Sequence, residues 1–581
     1  MRLRRSEMGL LPHIVSLLLV AHAASNDDAL PALLGSFPES FAFGVATAAY
    51  QIEGATDEGG RGPSIWDTFS AMPGKTFGGD TGAVADDFYH KFRDDVALMA
   101  SLGVRRYRMS LAWPRLLPDG GGAALNPAGV AFYVAVFEEL QKYDIEPLVT
   151  LYHWDLPQAL DDSYGGWLDR EIVADFATYA DLCFAAFGDY ATSWTTFNEA
   201  LTFIGEGYGD GVHAPGRCSD RDRCAAGDST REPLVAGHHV LLAHAAAVAK
   251  FRARFDSTYE IGMVNCGWMA WPLRGRGHAG DAEAAEAFME AQWGWFYDPV
   301  IYGDYPDSLK KRAGADLPAF TAEEKMALKG SVDYLGVNYY TSRYVAAPDA
   351  AHAPTASAEG IPHLDGRFHV STVDAAGASI GARAGSPWLY VAPAGLRDVL
   401  IWLDARYPGH SLLVTENGCA QPDALDAADA VDDGFRLAYL RDHVDAAAEA
   451  SAAGVDVVAY YAWSLLDNYE WADGYSKRFG LVFVDYGTLD RTPKRSARWF
   501  ARVLAAHAAR SAAALVVVPD PAAPAPAEPD AARAAAVGAA VLAAVLAAAY
   551  LATRPRKPRR RNTVELATLP TLSPLPYVEV F

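Results

Sequence analysis

The chain has 581 residues, of which 51% are hydrophobic and 12% aromatic, with 14 Trp and 28 Tyr among them. This length allows several ordinary domains or one large barrel with appended segments. The formal net charge of −23 argues against nucleic-acid partners, because binding phosphates requires a cationic surface. Five cysteines exclude a disulfide-stapled scaffold. An uncharged small molecule is the expected ligand.

The N-terminus predicts a secretory signal peptide at 1–23. Basic residues are followed by an apolar core at 10–20 and by small residues up to Ala23. A signal anchor is the alternative, although this apolar core is short for a bilayer span. A secreted chain meets an oxidising compartment, so Cys218 and Cys224, which bracket a short polar loop, are predicted to form a disulfide. Three further cysteines are expected as buried thiols: Cys183, Cys266 and Cys419.

Short apolar runs alternate along the chain with stretches of helical periodicity. The connections between the runs are long enough for a helix, which is typical of a closed parallel (β/α)8 TIM barrel in the α/β class. We expect a single large domain at 35–510 with long loops after its strands. The eight predicted strands cover 41–48, 104–110, 146–152, 193–199, 261–268, 332–340, 412–416 and 455–463.

Polar and aromatic residues stand at or near the carboxyl ends of most predicted strands. That face is where such barrels carry their active sites. Residues with purely structural roles would not be confined to one end of the barrel. The residues concerned are Gln51, Arg108, His153, Asn198, Glu199, Asn338, Tyr340, Glu416 and Trp463.

Two of these strands end in a carboxylate, Glu416 and Glu199. Cleavage of a glycosidic bond requires two carboxyl groups, one as a proton donor and one as a nucleophile or base. The alternative for each is an ordinary glutamate in a cap or a salt bridge. Because both would lie on one face of the barrel, we expect glycosidase chemistry.

The longest irregular stretch, 345–387, is rich in Ala, Gly, His and Pro. It follows the strand that ends at Tyr340 and precedes the helix before Glu416. Long loops on this face often carry function, so we expect it to form one wall of the substrate entrance. A solvated insertion without function is the alternative.

The composition changes sharply near the C-terminus. Residues 511–532, rich in Pro and Ala, predict an extended stalk. The uncharged aliphatic run at 534–552 predicts a transmembrane helix at 533–552. The basic tail at 553–581 would be cytosolic, giving a single-pass type I membrane protein of the secretory pathway with an extracellular or lumenal barrel. An Ala-rich soluble helix and a cleaved GPI signal are the alternatives.

Five short stretches of the predicted barrel form sequence motifs. TENG at 415–418 and FNE at 197–199 contain the two carboxylates. The chain also carries FAFGVATAAYQIEG at 41–54, WSLLDNYEW at 463–471 and YSKRFG at 475–480. In their order along the chain, they resemble the motifs of glycoside hydrolase family 1, the retaining β-glucosidases and their relatives. The resemblance covers nearly the whole predicted barrel.

The resemblance implies a role for each candidate residue. Glu416 would be the nucleophile and Glu199 the acid/base, with their carboxyl groups about 5–5.5 Å apart. Arg108 and Tyr340 would keep Glu416 charged and oriented. No metal and no organic cofactor is implied. The residues implied to bind the sugar are Gln51, His153, Asn198, Asn338, Trp463, Glu470, Trp471 and Phe479.

The expected substrate is a small β-glycoside or oligosaccharide with a terminal β-D-glucosyl, β-galactosyl or β-fucosyl residue. Glu199 is an acid, which disfavours the thioglucosidase branch, and Glu470 would repel a sugar phosphate. Ala200 stands where the family usually has Pro, and a less rigid turn is expected to lower the rate slightly. Three residues are expected to line the aglycone site: Leu201, Phe203 and Tyr208.

Two other functions stay open at this stage. Some anchored relatives that resemble this family, the klotho-like proteins, have lost catalytic carboxylates and serve as co-receptors. The presence of both Glu199 and Glu416 here argues against that function. A transglycosylase would pass the same covalent intermediate to a sugar or alcohol, and the sequence does not separate it from a hydrolase.

Overall fold

The structure, a computed structural model, describes residues 28–355, 367–422 and 430–515. The strands in these residues are numbered in chain order. They are β1 Ala42–Ala46, β2 Arg106–Ser110, β3 Glu146–Tyr152, β4 Ser193–Asn198, β5 Glu260–Cys266, β6 Met269–Pro272, β7 Tyr334–Asn338, β8 Ser342–Ala346, β9 His369–Ser371, β10 Ser411–Asn417, β11 Val457–Trp463, β12 Val482–Val484 and β13 Arg491–Pro493.

Eight of these strands form one closed barrel, in the order β1-β11-β10-β7-β5-β4-β3-β2. All neighbours are parallel, and β1 closes the ring by pairing with both β11 and β2. The predicted (β/α)8 barrel is therefore confirmed. Each of the eight predicted strands is present, with ends that differ from the prediction by at most two residues.

Helices connect the strands on the outside of the barrel. In the helix Pro127–Lys142, the Asn126 side chain caps the first turn. Phe132, Val136 and Leu140 recur at helical spacing and are buried. The α-helices of the described chain are Ala49–Ile52, Ile65–Ser70, Phe88–Ser101, Trp113–Leu116, Pro127–Lys142, Gln158–Tyr164, Ile172–Phe187, Ala200–Gly205, Glu232–Arg254, Ala279–Met289, Trp295–Tyr302, Asp307–Ala313, Ala322–Leu328, Pro393–Arg406, Gly434–Ala452 and Arg495–Leu515.

Large side chains pack tightly inside the sheet of the barrel. A Cβ atom on Gly44 would lie 2.6 Å from the Tyr461 ring, and one on Gly262 would lie 2.4 Å from the Tyr334 ring. These glycines are therefore needed for the close approach of the two rings. Because the rings are fully or almost fully buried, the strands below the carboxyl face form a packed core.

The loops after β5 and β7 build a small sheet of their own, in the order β6-β8-β9. The stretch 345–387, predicted to be irregular, contributes the end of β8 and all of β9 to it. Part of that stretch, 356–366, lies outside the described residues. The prediction that this stretch is irregular is therefore wrong for the segments in β8 and β9.

The last helix, Arg495–Leu515, runs past the predicted domain boundary at 510, so the barrel domain extends further than expected. The predicted signal peptide at 1–23, the stalk from 516 on, the transmembrane helix at 533–552 and the basic tail lie outside the described residues. Within the described part, the helix Glu232–Arg254 is long and apolar enough to cross a bilayer, but most of it is buried. It packs as a core helix of the barrel domain.

Candidate active site

A cavity of about 310 Å³ lies at the carboxyl end of the barrel. Its walls come from the ends of β3, β4, β5, β7, β10 and β11 and from the loops that follow them. Nine of the residues predicted for catalysis or sugar binding line it: His153, Asn198, Glu199, Tyr340, Glu416, Trp463, Glu470, Trp471 and Phe479. Three others are fully buried behind this lining: Gln51, Arg108 and Asn338.

Glu416 stands near the end of β10, where the pairing with β7 shifts register between Val414 and Glu416. Both carboxylate oxygens accept hydrogen bonds. Arg108 Nη1 donates to Oε1 at 2.5 Å and the Tyr340 hydroxyl donates to Oε2 at 2.5 Å. A guanidinium and a hydroxyl donor both favour the negatively charged carboxylate. The arrangement presents an oriented anion to the cavity.

Asn198 connects the Arg108 side chain to the opposite wall. Its Oδ1 accepts from Arg108 Nη2 at 2.5 Å and from Asn338 Nδ2 at 3.0 Å. Its Nδ2 therefore points to His153 Nε2, 3.0 Å away. Because an amide nitrogen donates, Nε2 accepts, and the proton of His153 is assigned to Nδ1. Burial, and then the Arg108 charge, lower the pKa of His153 well below its ordinary value. His153 is thus a neutral ring.

Glu199 follows β4 directly, with φ of 51° in the left-handed region. A non-glycine residue in this region is uncommon and stores strain, which is found most often at functional sites. The Glu199 N–H donates to Val264 O at 2.9 Å, and the residue also caps the helix Ala200–Gly205. This turn directs the carboxyl group of Glu199 into the cavity.

The Glu199 carboxyl group is buried like that of Glu416 but has no cationic hydrogen-bond donor among the described residues. Asn338 Nδ2 donates to Oε1 at 2.6 Å, and Thr415 fixes the Asn338 amide by donating to its Oδ1 at 2.7 Å. Burial, and then the negative charge of Glu416, raise the pKa of Glu199 to about 8. Glu199 is therefore protonated at neutral pH.

Aromatic and amide groups form the remaining inner wall. Trp463 and Trp471 lie nearly parallel to His153, at centroid distances of 5.9 and 6.0 Å. Gln51 Nε2 donates to Glu470 Oε2 at 3.4 Å. Burial, and then Asp473, raise the pKa of Glu470 well above its ordinary value. A flat apolar surface beside polar groups is the arrangement that a sugar ring requires.

Most of the outer part of the cavity was not predicted from the sequence. Leu201 lines it, as expected. Phe203 and Tyr208 do not, and both are buried in the core, so their assignment to the aglycone site was wrong. Successive residues of the helix Ala200–Gly205 point in different directions, which separates Leu201 from Phe203. The unpredicted lining residues are Trp154, Thr202, Glu206, Val212, His213, Cys266, Gly267, Trp268, Trp388, Ala472 and Asp473.

Cys218 and Cys224 form the predicted disulfide. Cys183 and Cys419 are buried thiols, as expected. Cys266 is only partly buried and lines the cavity, so the prediction of a buried thiol is wrong there. Among the described residues, no cluster of His, Cys, Asp or Glu is placed to hold a metal ion. That the chemistry needs no cofactor stays a prediction.

Known proteins are similar to this chain in sequence and in fold. Beta-glucosidase 4 of rice (Oryza sativa subsp. japonica) is 43% identical over 486 residues, which cover 81% of this chain and 95% of the rice protein. Beta-glucosidase 42 of Arabidopsis thaliana is 43% identical over 81% of this chain and 94% of its own length. Both are similar to this chain across its whole barrel domain.

Solved structures give the same result. The rice Os3BGlu6 β-glucosidase superposes with a TM-score of 0.77 at 43% identity, covering 82% of this chain and 99% of its own. A GH1 β-glucosidase of the fungus Humicola insolens, solved with glucose, also gives 0.77, at 41% identity with the same coverage. Residues 33–509 match the family described as Glycosyl hydrolase family 1. This chain belongs to glycosyl hydrolase family 1 and is an O-glycoside hydrolase.

Proposed function

We propose that this chain is a retaining β-glycosidase that removes terminal, non-reducing β-D-glucosyl residues from small glycosides. One observation carries the proposal: two carboxyl groups share a cavity, and their surroundings favour opposite protonation states. Arg108 and Tyr340 hold Glu416 as an anion, whereas burial and the Glu416 charge raise the pKa of Glu199 to about 8. An anionic and a protonated carboxyl group are what a double displacement requires.

In the first step Glu416 attacks the anomeric carbon while Glu199 protonates the glycosidic oxygen. The bond to the leaving oxygen breaks, and a covalent glycosyl-enzyme forms. In the second step the ionised Glu199 takes a proton from water, which attacks the same carbon and releases Glu416. A mutant of the rice Os3BGlu6 β-glucosidase has been solved in a covalent complex with Glc, which supports such an intermediate here.

The inner wall supplies the groups that would hold the sugar. His153 Nδ1 and Gln51 Oε1 are buried and make no hydrogen bond to another described residue, so one can donate to a sugar hydroxyl and the other can accept from one. Asn198 lies beside Glu416 through their shared partner Arg108, and we assign it to the 2-hydroxyl. Trp463 would support the ring face, with Trp471 and Phe479 closing the site; all three line the cavity.

The test uses the full-length protein in detergent and the para-nitrophenyl β-glucoside, β-galactoside and β-fucoside. We expect nitrophenol release from the glucoside at least, its loss in Glu416→Gln, and NMR detection of the β-anomer as the first product. An α-anomer as first product would contradict the retaining mechanism. No release from any of the three by folded protein would favour a co-receptor.

We also infer that the hydrolase domain is tethered to a membrane by 534–552 and lies outside the cytosol. Support comes from the uncharged aliphatic composition of that run, the basic residues that follow it, and the N-terminal signal pattern. The disulfide Cys218–Cys224 fits an oxidising compartment. Resistance to carbonate extraction, and protection of the barrel from protease in sealed vesicles, are the expected results. Release of the whole protein by carbonate would contradict the anchor.

A further inference from the structure

The outer half of the cavity has two unlike walls. The loop after β4 supplies Glu206 and His213, and the loop after β11 supplies Asp473; these residues form an anionic wall. The loops after β5 and β7 supply an aromatic wall, formed by Trp268 and Trp388. A leaving group that follows the sugar out of the cavity would pass between the two walls.

The anionic wall keeps a net negative charge even when His213 is protonated. His213 Nδ1 lies 2.7 Å from Glu206 Oε2. Burial alone would lower the pKa of His213, but Glu206, Asp210 and Asp473 raise it above its ordinary value. Burial raises the pKa of Asp473 above its ordinary value, whereas the charges of Lys477 and His213 act to lower it; Lys477 does not line the cavity. One imidazolium therefore faces two carboxylates on this wall.

The aromatic wall offers apolar surface to a ligand chiefly through Trp388, since Trp268 lines the cavity but is only 7% exposed. The Trp388 side chain is accessible, with 39% of the residue exposed, and it packs edge-on against Tyr340 at a centroid distance of 5.8 Å. Trp268 stacks against the Arg343 guanidinium, 3.7 Å from the ring centroid. Arg343 lies outside the cavity lining, so the guanidinium occupies the face of Trp268 turned away from the ligand.

We propose that this site prefers a β-glycoside whose aglycone is a flat aromatic group carrying a positive charge, such as a ring with a protonated aminomethyl substituent. The ring would pack against the aromatic wall, and its cationic substituent would face Glu206 and Asp473 of the anionic wall. Aromatic stacking and charge pairing act in the same direction in such a complex. The net charge of −23 adds a long-range field that favours cations and disfavours anions. The inference rests on the proposed glycosidase activity.

The test compares three β-glucosides with closely similar phenol leaving groups. They are the para-(aminomethyl)phenyl, para-(hydroxymethyl)phenyl and para-(carboxymethyl)phenyl compounds, which are cationic, neutral and anionic at neutral pH. The methylene group insulates the phenol from the charge. For the full-length enzyme we expect kcat/KM for the cation to exceed that for the anion by about tenfold or more, equal to about 1.4 kcal/mol. Added salt should reduce this ratio.

Variants assign the preference to the anionic wall. Glu206→Gln and Asp473→Asn should each reduce the cation-to-anion ratio by several-fold, and the double variant should bring it close to one. Because the ratio is formed within each variant, any general loss of activity cancels. Glu138→Gln is the matched control, since it removes one exposed carboxylate from the outer helix Pro127–Lys142. It should leave the ratio unchanged.

The outcomes separate the inference from the function on which it rests. Hydrolysis of the neutral glucoside with a ratio near one, or a ratio that the two variants do not lower, overturns the cationic preference and leaves the glycosidase intact. A ratio that falls equally in Glu138→Gln would assign the effect to net charge and overturn the role of the wall. Failure to hydrolyse any of the three glucosides would overturn the proposed function and the preference with it.

Discussion

The ends of β4 and β10 each present one carboxyl group to the same cavity, and their neighbours make the two groups chemically different. At β10, Glu416 accepts from a guanidinium and a phenol. At β4, Glu199 accepts from an uncharged amide and lies near the Glu416 charge. Moving the pKa of Glu199 from 4.5 to about 8 corresponds to a bias on the order of 5 kcal/mol toward the protonated form. Burial and neighbouring charge, rather than residue type, assign the nucleophile and the acid.

The largest effect is expected from Glu416→Gln. The variant keeps the size and hydrogen-bonding capacity of the side chain but removes the attacking anion, so kcat should fall by about 10,000-fold or more. The same change removes a charge that raises the pKa of Glu199. NMR titration of Glu199 should therefore show a lower pKa in the variant than in the wild-type protein.

Rescue by a small anion sharpens this test. In Glu416→Ala, added azide should enter the vacated space, attack the anomeric carbon from the same side and give an α-glycosyl azide. A β-glycosyl azide from that variant would show that Glu416 is not the nucleophile. Residual kcat within tenfold of wild type would contradict the assignment as well.

Glu199→Gln should have a large effect that depends on the leaving group. Without a proton donor, substrates with poor leaving groups should lose about 100- to 10,000-fold in kcat/KM. Dinitrophenyl glucoside needs little protonation, so its kcat/KM should fall far less. A Brønsted series of aryl glucosides measures the difference. An equal loss for every leaving group would mean that Glu199 does not protonate the departing oxygen.

Tyr340→Phe should have an intermediate effect. Burial, and then Glu416, raise the pKa of Tyr340 well above its ordinary value, so its hydroxyl stays a donor to the carboxylate. Removing one hydrogen bond to a charged group costs about 1.5–3 kcal/mol, which predicts a loss of about 10- to 100-fold in kcat. Tyr339→Phe is a matched control, because the Tyr339 hydroxyl donates to Ala392 O and does not contact Glu416.

The sequence predicted the barrel and the inner half of the cavity well, for a physical reason. Strands of a parallel barrel are buried on both faces, so they read as apolar runs that end where polar residues begin. His153, Asn198 and Glu416 could be found by that change alone. The same rule would also have identified Trp268, which lies two residues beyond the end of β5. It was missed because it was counted as part of the strand.

The outer half of the cavity could not be predicted from the sequence in the same way. Trp388 comes from a long excursion after β7, and its place over the cavity depends on how that excursion folds. Glu206 and His213 pair only because the chain turns through Glu206–Asp210 after the helix that Glu199 begins. Loop residues carry no period that fixes their direction. The charge of the outer wall is therefore a result of tertiary structure.

The smallest expected effect is a shift in pH dependence, and it tests the setting of Glu199 directly. Glu199 must be protonated for the first step, so kcat/KM should fall at alkaline pH with a midpoint at about 8. The hydrogen bond from Asn338 favours the charged form and lowers the pKa of Glu199, and so does that from Thr202. Asn338→Ala or Thr202→Val should therefore raise the midpoint, by about one pH unit or less.

Because only the midpoint is compared, a lower rate in either variant does not affect the result. A midpoint that moves to lower pH in both variants would show that these donors do not stabilise the charged form of Glu199, and the contrast between the two carboxyl groups would then rest on burial and on Glu416 alone.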